Sequence, residues 1–435
     1  MKPRATADGR NLLDRRHALL GRGSPLFYAR PLHIVRGEGV WLYDANGDRY
    51  LDAYNNVPHV GHCHPRVVEA IARQAATLNT HTRYLHEGVV AYGERLVATF
   101  DAPLAMAVFA CTGSEANDLA MQMARWCTGN AGFIVTDFSY HGNTTAVVTL
   151  SSASSTEAQR LPYVRTVPAP HAYRIAADIQ GPDLGAAYAR HVRRAVDALQ
   201  TDGVGVAGIV FDSIFSGEGL PDVPPGYVAQ AVDIVRAAGG LYIADEVQPG
   251  FGRMGDHLWG YRHHGVVPDI VTLGKPMGNG HPISAVIARR DLLQPFGEAR
   301  RYFNTFAGNP VACAAATAVL DVLEEEDLVA RAGTTGEYLL RGLRELCDRH
   351  ALVGDVRGRG LFLGIELVRD RATREPATAA ARRVIDAMRE RHVLIGETGE
   401  HENVLKIRPP LPFAREHADL LLGALDECLA EVAAA

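Results

Sequence analysis

The stretch Asp269-Ile-Val-Thr-Leu-Gly-Lys275-Pro-Met-Gly-Asn-Gly-His-Pro282 decides how the rest of the chain is interpreted. A short apolar run ends in Gly274, a single lysine follows, and a glycine-rich turn comes next. Burial at the end of a strand would lower the pKa of Lys275, because a low-dielectric environment disfavours the charged amine. A neutral amine there is a nucleophile that can form a Schiff base with an aldehyde. A surface lysine on a loop is the simpler interpretation of this stretch alone.

The composition indicates a globular protein and argues against several classes of function. A chain of 435 residues can bury one large core and a smaller one. Its net charge of −6 argues against non-specific nucleic-acid binding, and no apolar run is long enough for a membrane span. No apolar segment follows the basic residues 1–10, so we expect no secretory signal. The six cysteines are scattered without a CxxC pair, which favours free thiols and a cytoplasmic protein.

From about residue 107, apolar runs alternate with helical stretches. The runs lie at 107–110, 133–136, 207–211, 241–244, 270–273 and 285–288, with helices predicted at 116–126, 183–199 and 225–238 between them. This alternation predicts an α/β fold with a mainly parallel sheet covered by helices. The Ser-, Pro- and Ala-rich residues 150–183 are predicted to form a long loop.

The two ends of the chain are predicted to build a smaller α+β domain. Residues 40–51 form a hairpin in which Asn46-Gly47 supplies a type I′ turn. The tail from about residue 311 contains a long helix, a few short strands and two more helices. We expect an N-terminal segment of the small domain at 1–60, a large domain at 61–310 and a C-terminal small domain at 311–435.

His59, His62 and His64 lie close together in the sequence and suggest a metal site. Carboxylate or cysteine partners that would complete it are not evident nearby, and Pro65 begins a helix. We therefore expect no metal.

Thr112-Gly113-Ser114 joins a predicted strand to a helix. Gly113 lets the backbone approach a ligand, Ser114 offers a hydroxyl, and the helix N-terminus presents free N–H groups. Together they predict an anion cradle, most naturally for phosphate, although a plain capped helix is the alternative. No GxxxxGK[ST] motif is present, and no GxGxxG motif follows a predicted strand, which argues against a dinucleotide site. Thr305, in the loop 302–310, is a candidate second phosphate contact, with simple helix capping as the alternative.

Two further strand ends carry groups that suit a flat aromatic ligand. Tyr140-His141-Gly142 places an aromatic side chain where it can stack on a ring. Asp245 ends an apolar strand and needs a partner, which a protonated pyridine nitrogen would provide. Val247 could pack on a ring face and Gln248 could donate to a ring oxygen. The alternative for Asp245 is an ion pair with Arg253.

One ligand accounts for all these groups. Pyridoxal phosphate needs a lysine, a phosphate cradle, a carboxylate for its ring nitrogen and an aromatic side chain over its face. The sequence places these four on successive strand ends of one sheet and so predicts this cofactor.

In their order and spacing, these motifs are similar to those of class III aminotransferases of the pyridoxal-phosphate fold type I superfamily. The resemblance runs from about residue 30 to 430 and rests on residues 112–117, 140–142, 244–253, 274–278 and 304–310. It implies a fold type I transferase that acts as a homodimer, or a tetramer, with active sites at the subunit interface. It also implies a role for each motif residue. Lys275 would be the Schiff-base lysine and Asp245 would pair with the pyridine nitrogen, while Gly113 and Ser114 would bind the phosphate together with Thr305 of the partner subunit. The ring would lie beside Tyr140 and His141, with Val247 on its other face and Gln248 near its oxygen.

Residues 55–65 and 78–86 resemble a narrower branch, that of the alanine–glyoxylate aminotransferase-like proteins and ethanolamine-phosphate phospho-lyases. The chain departs from better-known class III enzymes in two places. Lys406 stands where the family commonly has a carboxylate-binding arginine, and Arg408 follows two residues later. The segment 212–218 reads Asp-Ser-Ile-Phe-Ser-Gly-Glu, which leaves open whether Glu218 acts as the usual gating carboxylate.

The sequence therefore predicts an enzyme that moves an amino group from an amine or amino acid to a keto acid through Lys275 and Asp245. The alternative on the same scaffold is a phospho-lyase that eliminates phosphate from a phosphorylated amine such as phosphoethanolamine. Tyr54, Arg83 and Lys406 are candidate substrate contacts. A catalytically silent cofactor-binding protein is a third hypothesis, but nothing required for the chemistry is missing from the sequence.

Overall fold

The computed structural model describes residues 11–154 and 161–434. Residues 1–10, where we expect no secretory signal, and 155–160, within the predicted loop, lie outside these ranges. The helices are α1 (Leu12–Leu20), α2 (Pro65–Thr77), α3 (Glu87–Val97), α4 (Gly113–Thr128), α5 (Leu184–Thr201), α6 (Tyr227–Ala237), α7 (Arg290–Ala299), α8 (Pro310–Glu325), α9 (Leu328–Arg349), α10 (Thr378–Glu390) and α11 (Arg415–Ala434). The strands are β1 (Ile34–Glu38), β2 (Trp41–Asp44), β3 (Arg49–Asp52), β4 (Leu104–Ala110), β5 (Gly132–Thr136), β6 (Val164–Val167), β7 (Val206–Asp212), β8 (Leu241–Asp245), β9 (Ile270–Leu273), β10 (Ser284–Arg289), β11 (Val353–Arg359), β12 (Phe362–Asp370), β13 (Glu375–Pro376), β14 (Val393–Leu394), β15 (Gly396–Thr398) and β16 (Val404–Ile407). None of the described helices is both long enough and apolar enough to cross a membrane.

A sheet with strand order β4-β10-β9-β8-β7-β5-β6 lies at the centre of the protein. Neighbouring strands from β9 to β6 are parallel, and β10 is antiparallel to both β9 and β4. Every strand except β10 therefore runs the same way, and their carboxyl ends meet at one edge. The predicted mainly parallel α/β sheet is confirmed, and each predicted apolar run forms a strand.

Alternate residues of the central strands pack on opposite faces of the sheet. Phe133 and Val135 belong to a buried cluster with Leu119 of α4. Ile134 between them belongs to the other cluster, together with Val192 of α5. Both faces are therefore covered by helices, and this burial explains why the strands read as continuous apolar runs.

The prediction of a structureless loop at 150–183 is wrong in one part, because residues 164–167 form β6. This strand pairs in parallel with β5 at the edge of the sheet. Its sequence, Val-Arg-Thr-Val, is short and only half apolar, so pairing with β5 rather than local pattern defines it.

The predicted hairpin at 40–51 forms as β2 and β3, but its turn is not of type I′. Gly47 has a positive φ of 94°, whereas Asn46 does not, and a type I′ turn requires positive values at both positions. The carboxylate of Asp44 instead accepts hydrogen bonds from the backbone of Asn46 and Asp48, each at 2.9 Å. A side chain in the strand therefore organises a longer loop.

β1, β2 and β3 share a sheet with β14, which pairs in parallel with β3. The N-terminal strands thus pair with a strand from the C-terminal part of the chain. β11, β12, β16 and β15 form a further sheet, with β13 on β12.

The single long helix predicted after residue 311 is two helices, α8 and α9. Between them Asp327 adopts a left-handed conformation with φ of 49°. Glu324, Glu325 and Glu326 lie at the end of α8, where the helix dipole disfavours negative charge. The acidic run therefore opposes continuation of the helix.

Gly336 marks a close approach between α9 and the turn that joins β11 to β12. A Cβ atom at this position would overlap the carbonyl oxygen of Gly360. Because that neighbour is backbone, the contact cannot be relieved by a side-chain rotation.

We expect Gly336→Ala to lower the free energy of unfolding by about 1–3 kcal/mol through overpacking. Gly423→Ala is the matched control, since Gly423 lies in α11 and a Cβ atom added there would meet nothing within 4 Å. That control should raise stability by about 0.5–1 kcal/mol, because alanine has the higher helix propensity. Denaturant unfolding of both variants measures the difference, and equal stabilities would contradict the packing described.

Candidate active site

The chemistry-bearing side chains converge at the carboxyl edge of the central sheet. Asp212 ends β7, Asp245 ends β8, and Lys275 follows β9. With the start of α4 they enclose a cavity of about 100 Å³. Its lining consists of Gly113, Ser114, Tyr140, His141, Gly142, Asp212, Asp245, Val247, Gln248 and Lys275.

Lys275 begins a single 3-10 turn, Lys275–Gly278, and its side chain opens onto this cavity rather than being sealed in the core. Surrounding protein lowers the pKa of the amine by desolvation, and the nearby Arg408 lowers it further. Asp245 and Asp212 act in the opposite direction. Among the described residues, Lys275 has no hydrogen-bond or ion-pair partner, so its Nζ atom is available to a ligand.

Asp245 is a buried carboxylate fixed by three hydrogen bonds. Oδ2 accepts from Asn117 Nδ2 at 2.9 Å and lies 2.8 Å from His141 Nδ1. Oδ1 accepts from the Val247 backbone at 3.0 Å. The alternative pairing with Arg253 does not occur, because Arg253 binds the carbonyl oxygens of Leu361 and Pro409 and the ring of His59.

His141 is fully enclosed, and its pKa reflects two opposing effects. Burial is the largest single effect and lowers it, but the hydrogen bond with Asp245 and the charges of Asp245, Glu218 and Asp212 together outweigh burial, so the net pKa lies above the usual value. Its Nε2 atom is buried and finds no hydrogen-bond partner among the described residues. The carboxyl group of Asp245 and the imidazole of His141 therefore lie together in the lining of the cavity.

The start of α4 provides an anion cradle. Thr112 Oγ1 accepts from the Glu115 backbone, and the Glu115 side chain accepts from Thr112, which forms a capping box. The backbone N–H groups of Gly113 and Ser114 find no acceptor among the described residues. A Cβ atom on Gly142 would lie 2.5 Å from Ser114 Oγ, so only glycine fits opposite the cradle. Free N–H groups at a helix N-terminus bind phosphate well.

Gln248 links the cavity to Arg408. The Gln248 side chain donates to Ser216 Oγ and accepts from Arg408 Nη1. Arg408 also donates to the Tyr54 carbonyl at 3.0 Å and lies over the Tyr54 ring, 4.6 Å from its centroid. The guanidinium is thus engaged by protein on several sides.

Lys406 differs from Arg408 in having no such partners. It lies in β16 and is only 8% exposed, and its side chain makes no hydrogen bond or ion pair to any described residue. Burial lowers the pKa of its amine, Arg408 lowers it further, and Lys275 is close enough to contribute. The sequence has three lysines, Lys2, Lys275 and Lys406, and Lys2 lies outside the described residues. Both described lysines therefore belong to one region.

Two of the predicted residues lie away from the cavity of their own chain. Thr305 is exposed in the loop before α8. Arg83 is also exposed, and its guanidinium lies 3.8 Å from the centre of the Phe303 ring. The two residues share one surface with exposed Tyr84 and Phe306.

Asn117 and Asp212 are site residues to which the sequence assigned no role. Asn117 accepts from Thr272 Oγ1 at 2.7 Å and donates to Asp245 and to the His141 carbonyl. The sequence feature that could have revealed Asn117 is its position as a polar residue on the otherwise apolar buried face of α4. Asp212 resembles Asp245 in ending an apolar strand, and burial followed by the charge of Asp245 raises its pKa.

The three clustered histidines point to separate partners. His59 donates from Nε2 to the Phe251 carbonyl at 2.6 Å. His62 Nε2 lies 2.7 Å from Asp52, and His64 Nε2 lies 3.0 Å from Glu326. Each ring is thus used in local structure.

The cavity fits pyridoxal phosphate on three structural observations. The free N–H groups of the cradle suit a phosphate, the carboxylate of Asp245 has lone pairs left for a ring N–H, and the Lys275 amine faces the same space. Tyr140 and Val247 line the walls between these groups. The hydrogen-bonding groups and the amine of the cavity therefore match those that the cofactor needs.

Comparison with known proteins gives the same result. The class III aminotransferase family matches residues 27–429. A phospholyase from Arthrobacter, solved in complex with phosphoethanolamine, is 50% identical with a TM-score of 0.93, covering 97% of this chain and 99% of that one. The alanine–glyoxylate aminotransferase 2-like protein of Drosophila melanogaster is 43% identical over 426 residues, 96% of this chain and 86% of its own length. An amine transaminase from an uncultivated Pseudomonas species, solved in its pyridoxal-phosphate-bound form, is 31% identical with a TM-score of 0.86, covering 94% of this chain and 97% of that one.

Fold and site together define a pyridoxal-phosphate enzyme of fold type I. The chain belongs to the class III aminotransferase family, and its cofactor is pyridoxal phosphate.

Glu218 is a buried carboxyl group beside the site. Its Oε1 accepts from Thr136 Oγ1, and its Oε2 is buried without a hydrogen-bond partner among the described residues. Burial, followed by repulsion from Asp212, raises its pKa to about 7. The folded protein therefore favours the protonated form.

This shift predicts a pH-dependent stability. The folded pKa of about 7 lies above the ordinary value of 4.5, so the associated stabilisation is present below 4.5 and lost as pH rises through 7. Relative to wild type, Glu218→Gln should become more stable across this window, by at most about 3 kcal/mol. Denaturant titrations at several pH values measure the difference. Glu337→Gln, at an exposed position, is the control, and equal pH profiles for both variants would contradict the shift.

Proposed function

We propose that this protein is an aminotransferase that passes an amino group from an amine or amino acid donor to a keto acid. The observation that carries this proposal is the convergence of Lys275, Asp245 and the Gly113–Ser114 cradle on one cavity. When bound there, pyridoxal phosphate supplies an aldehyde for the amine and an electron-withdrawing protonated ring.

Each residue of the cavity then has a distinct task. Gly113 and Ser114 hold the phosphate through N–H groups and a hydroxyl. Asp245, oriented by Asn117 and His141, keeps the ring nitrogen protonated. Tyr140 and Val247 hold the ring from its two faces, and Gln248 lies near its oxygen.

Lys275 has two successive tasks. Its amine would hold the cofactor aldehyde in the resting enzyme and would be free once a substrate amine takes that place. Its Nζ atom then takes a proton from the amine-bearing carbon of the substrate and delivers it back within the pocket. The lowered pKa of Lys275 suits this work, because a general base must be neutral to accept a proton.

Phosphate elimination is a second candidate, favoured by Lys406. This buried amine has no side-chain partner among the described residues, stands in the place of a carboxylate-binding arginine, and would offer a point charge rather than a planar fork when protonated beside an anionic group. In a substrate with phosphate on the neighbouring carbon, the electron pair left by the proton expels the phosphate, and water then releases ammonia and a carbonyl compound. The similarity to a phospholyase supports this candidate.

We further propose a cytoplasmic homodimer. Thr305 and Arg83 share an exposed surface with Tyr84, Phe303 and Phe306. Aromatic side chains and arginine are enriched at subunit interfaces. On this proposal Thr305 completes the phosphate contacts of the partner's site, and Arg83 lies at the substrate entrance with Tyr54.

Lys275→Ala should abolish turnover and the visible absorbance of lysine-bound cofactor, because no other amine occupies its position. Absorbance spectra of the purified variant measure this directly. Lys406→Ala is the matched control, since it removes the neighbouring lysine and should keep that absorbance. A Lys275→Ala protein with the wild-type spectrum would overturn the assignment.

A paired assay separates the two reactions. An aminotransferase yields a carbonyl product only when pyruvate or 2-oxoglutarate is present, whereas a phospho-lyase releases inorganic phosphate from phosphoethanolamine without a keto acid. If phosphate is released, Lys406→Met should lower kcat/KM for that substrate by about tenfold or more, through loss of a charged contact. Keto-acid-dependent product without phosphate would support amino-group transfer and exclude phosphoethanolamine elimination.

A further inference from the structure

A second group of potential ligands lies outside the cofactor cavity. Asp256 and His257 occupy the turn before the 3-10 helix Gly260–His264, and His263 lies in that helix. One ligand atom from each of these three residues lies within 4.8 Å of the others. The sequence analysis considered a metal site only at His59, His62 and His64, and not at these three residues.

The contact between His263 and Asp256 is unusual in its geometry. His263 Nε2 lies 2.9 Å from Asp256 Oδ1, yet this nitrogen makes no hydrogen bond to any described residue and is buried. The side chain of His263 is only 10% exposed. Two ligand atoms that are each about 2.0–2.1 Å from a tetrahedral ion lie about 3.3 Å apart. The observed separation of 2.9 Å is slightly shorter, so a small side-chain movement would bring both atoms onto one cation.

The second oxygen of Asp256 has its own partner. Arg359 Nη1 donates to Asp256 Oδ2 at 3.3 Å, which leaves Oδ1 facing the histidine. A ligating carboxylate is commonly oriented by such an outer hydrogen bond. Arg359 ends β11, so this contact also joins the turn to the C-terminal part of the chain.

The two histidines of the group lie side by side. A metal ion binds an imidazole through the lone pair of a ring nitrogen. His257 supplies the third ligand, its ring centroid 5.2 Å from that of His263.

We propose that Asp256, His257 and His263 form a binding site for a divalent transition-metal ion of the zinc class. Two imidazoles and one carboxylate are a ligand set that Zn²⁺ accepts, with water in the remaining position. The site is separate from the cofactor chemistry and acts on structure.

The structural consequence follows from the anchoring of the 3-10 helix. The backbone N–H groups of Gly260 and Tyr261 donate to the Glu246 carboxylate at 2.8 and 2.7 Å. Glu246 immediately follows Asp245 in the chain. A metal ion bound at this helix would therefore stabilise the 3-10 helix whose N–H groups hold Glu246, the residue next to Asp245 at the end of β8.

Calorimetric titration of ZnCl₂ into tag-free, chelator-treated, cofactor-loaded protein tests this site. We expect one Zn²⁺ per chain at a site that loses at least about tenfold in affinity in His263→Ala and in Asp256→Asn. His401→Ala, which removes an exposed histidine elsewhere, should bind as wild type does. Zn²⁺ should also raise the thermal midpoint of wild type and of His401→Ala, but not of the two site variants.

Two results would overturn the proposal. One is the absence of Zn²⁺ uptake by wild-type protein, which would leave His263 and Asp256 as an ordinary ion pair. The other is equal Zn²⁺ affinity in wild type and Asp256→Asn, which would place the ion elsewhere. Asp256→Asn keeps the side-chain shape at a position that is 42% exposed, so a folding defect in His263→Ala alone does not decide the outcome.

Discussion

The side-chain amide of Asn117 is the contact on which the rest of the site depends. It donates to Asp245 at the end of β8 and to the backbone carbonyl of His141 after β5. It also accepts from Thr272 in β9, three residues before Lys275. One residue of α4 therefore holds together three segments at the ends of strands. These segments carry Asp245, the neighbours Tyr140 and His141, and Lys275. Because each bond is buried, loss of the amide would leave several polar groups unsatisfied at once.

Charge in this region is arranged in two layers. Asp245, Asp212 and Glu218 lie beneath and beside the cavity, and burial favours the protonated form of the last two. Lys275, Lys406 and Arg408 face them, and the arginine is held by Gln248 and Tyr54. Of these three basic side chains, only the two lysines lack partners among the described residues, so their amines are free to act on a cofactor or a substrate. The choice between amino-group transfer and phosphate elimination depends on what Lys406 binds.

The sequence predicted the central sheet and most of the cavity, because both follow from local pattern. Each strand is a continuous apolar run, and the functional residues directly follow such runs. Features set by distant partners were less predictable. β6 exists through its pairing with β5, and the turn at Asn46 is shaped by the Asp44 side chain. The role of Asn117 depends on three segments far apart in the chain. The expected cross-subunit role of Thr305 likewise depends on a second copy of the chain.

The lysine that carries the cofactor identifies the active site most directly. Reduction of cofactor-loaded protein with borohydride, followed by digestion and mass spectrometry, locates the attachment among only three lysines in the sequence. We predict the pyridoxyl group on the peptide that contains Lys275, with Lys406 unmodified. Attachment at Lys406, or no attachment to any lysine, would contradict the assignment of this cavity as the active site.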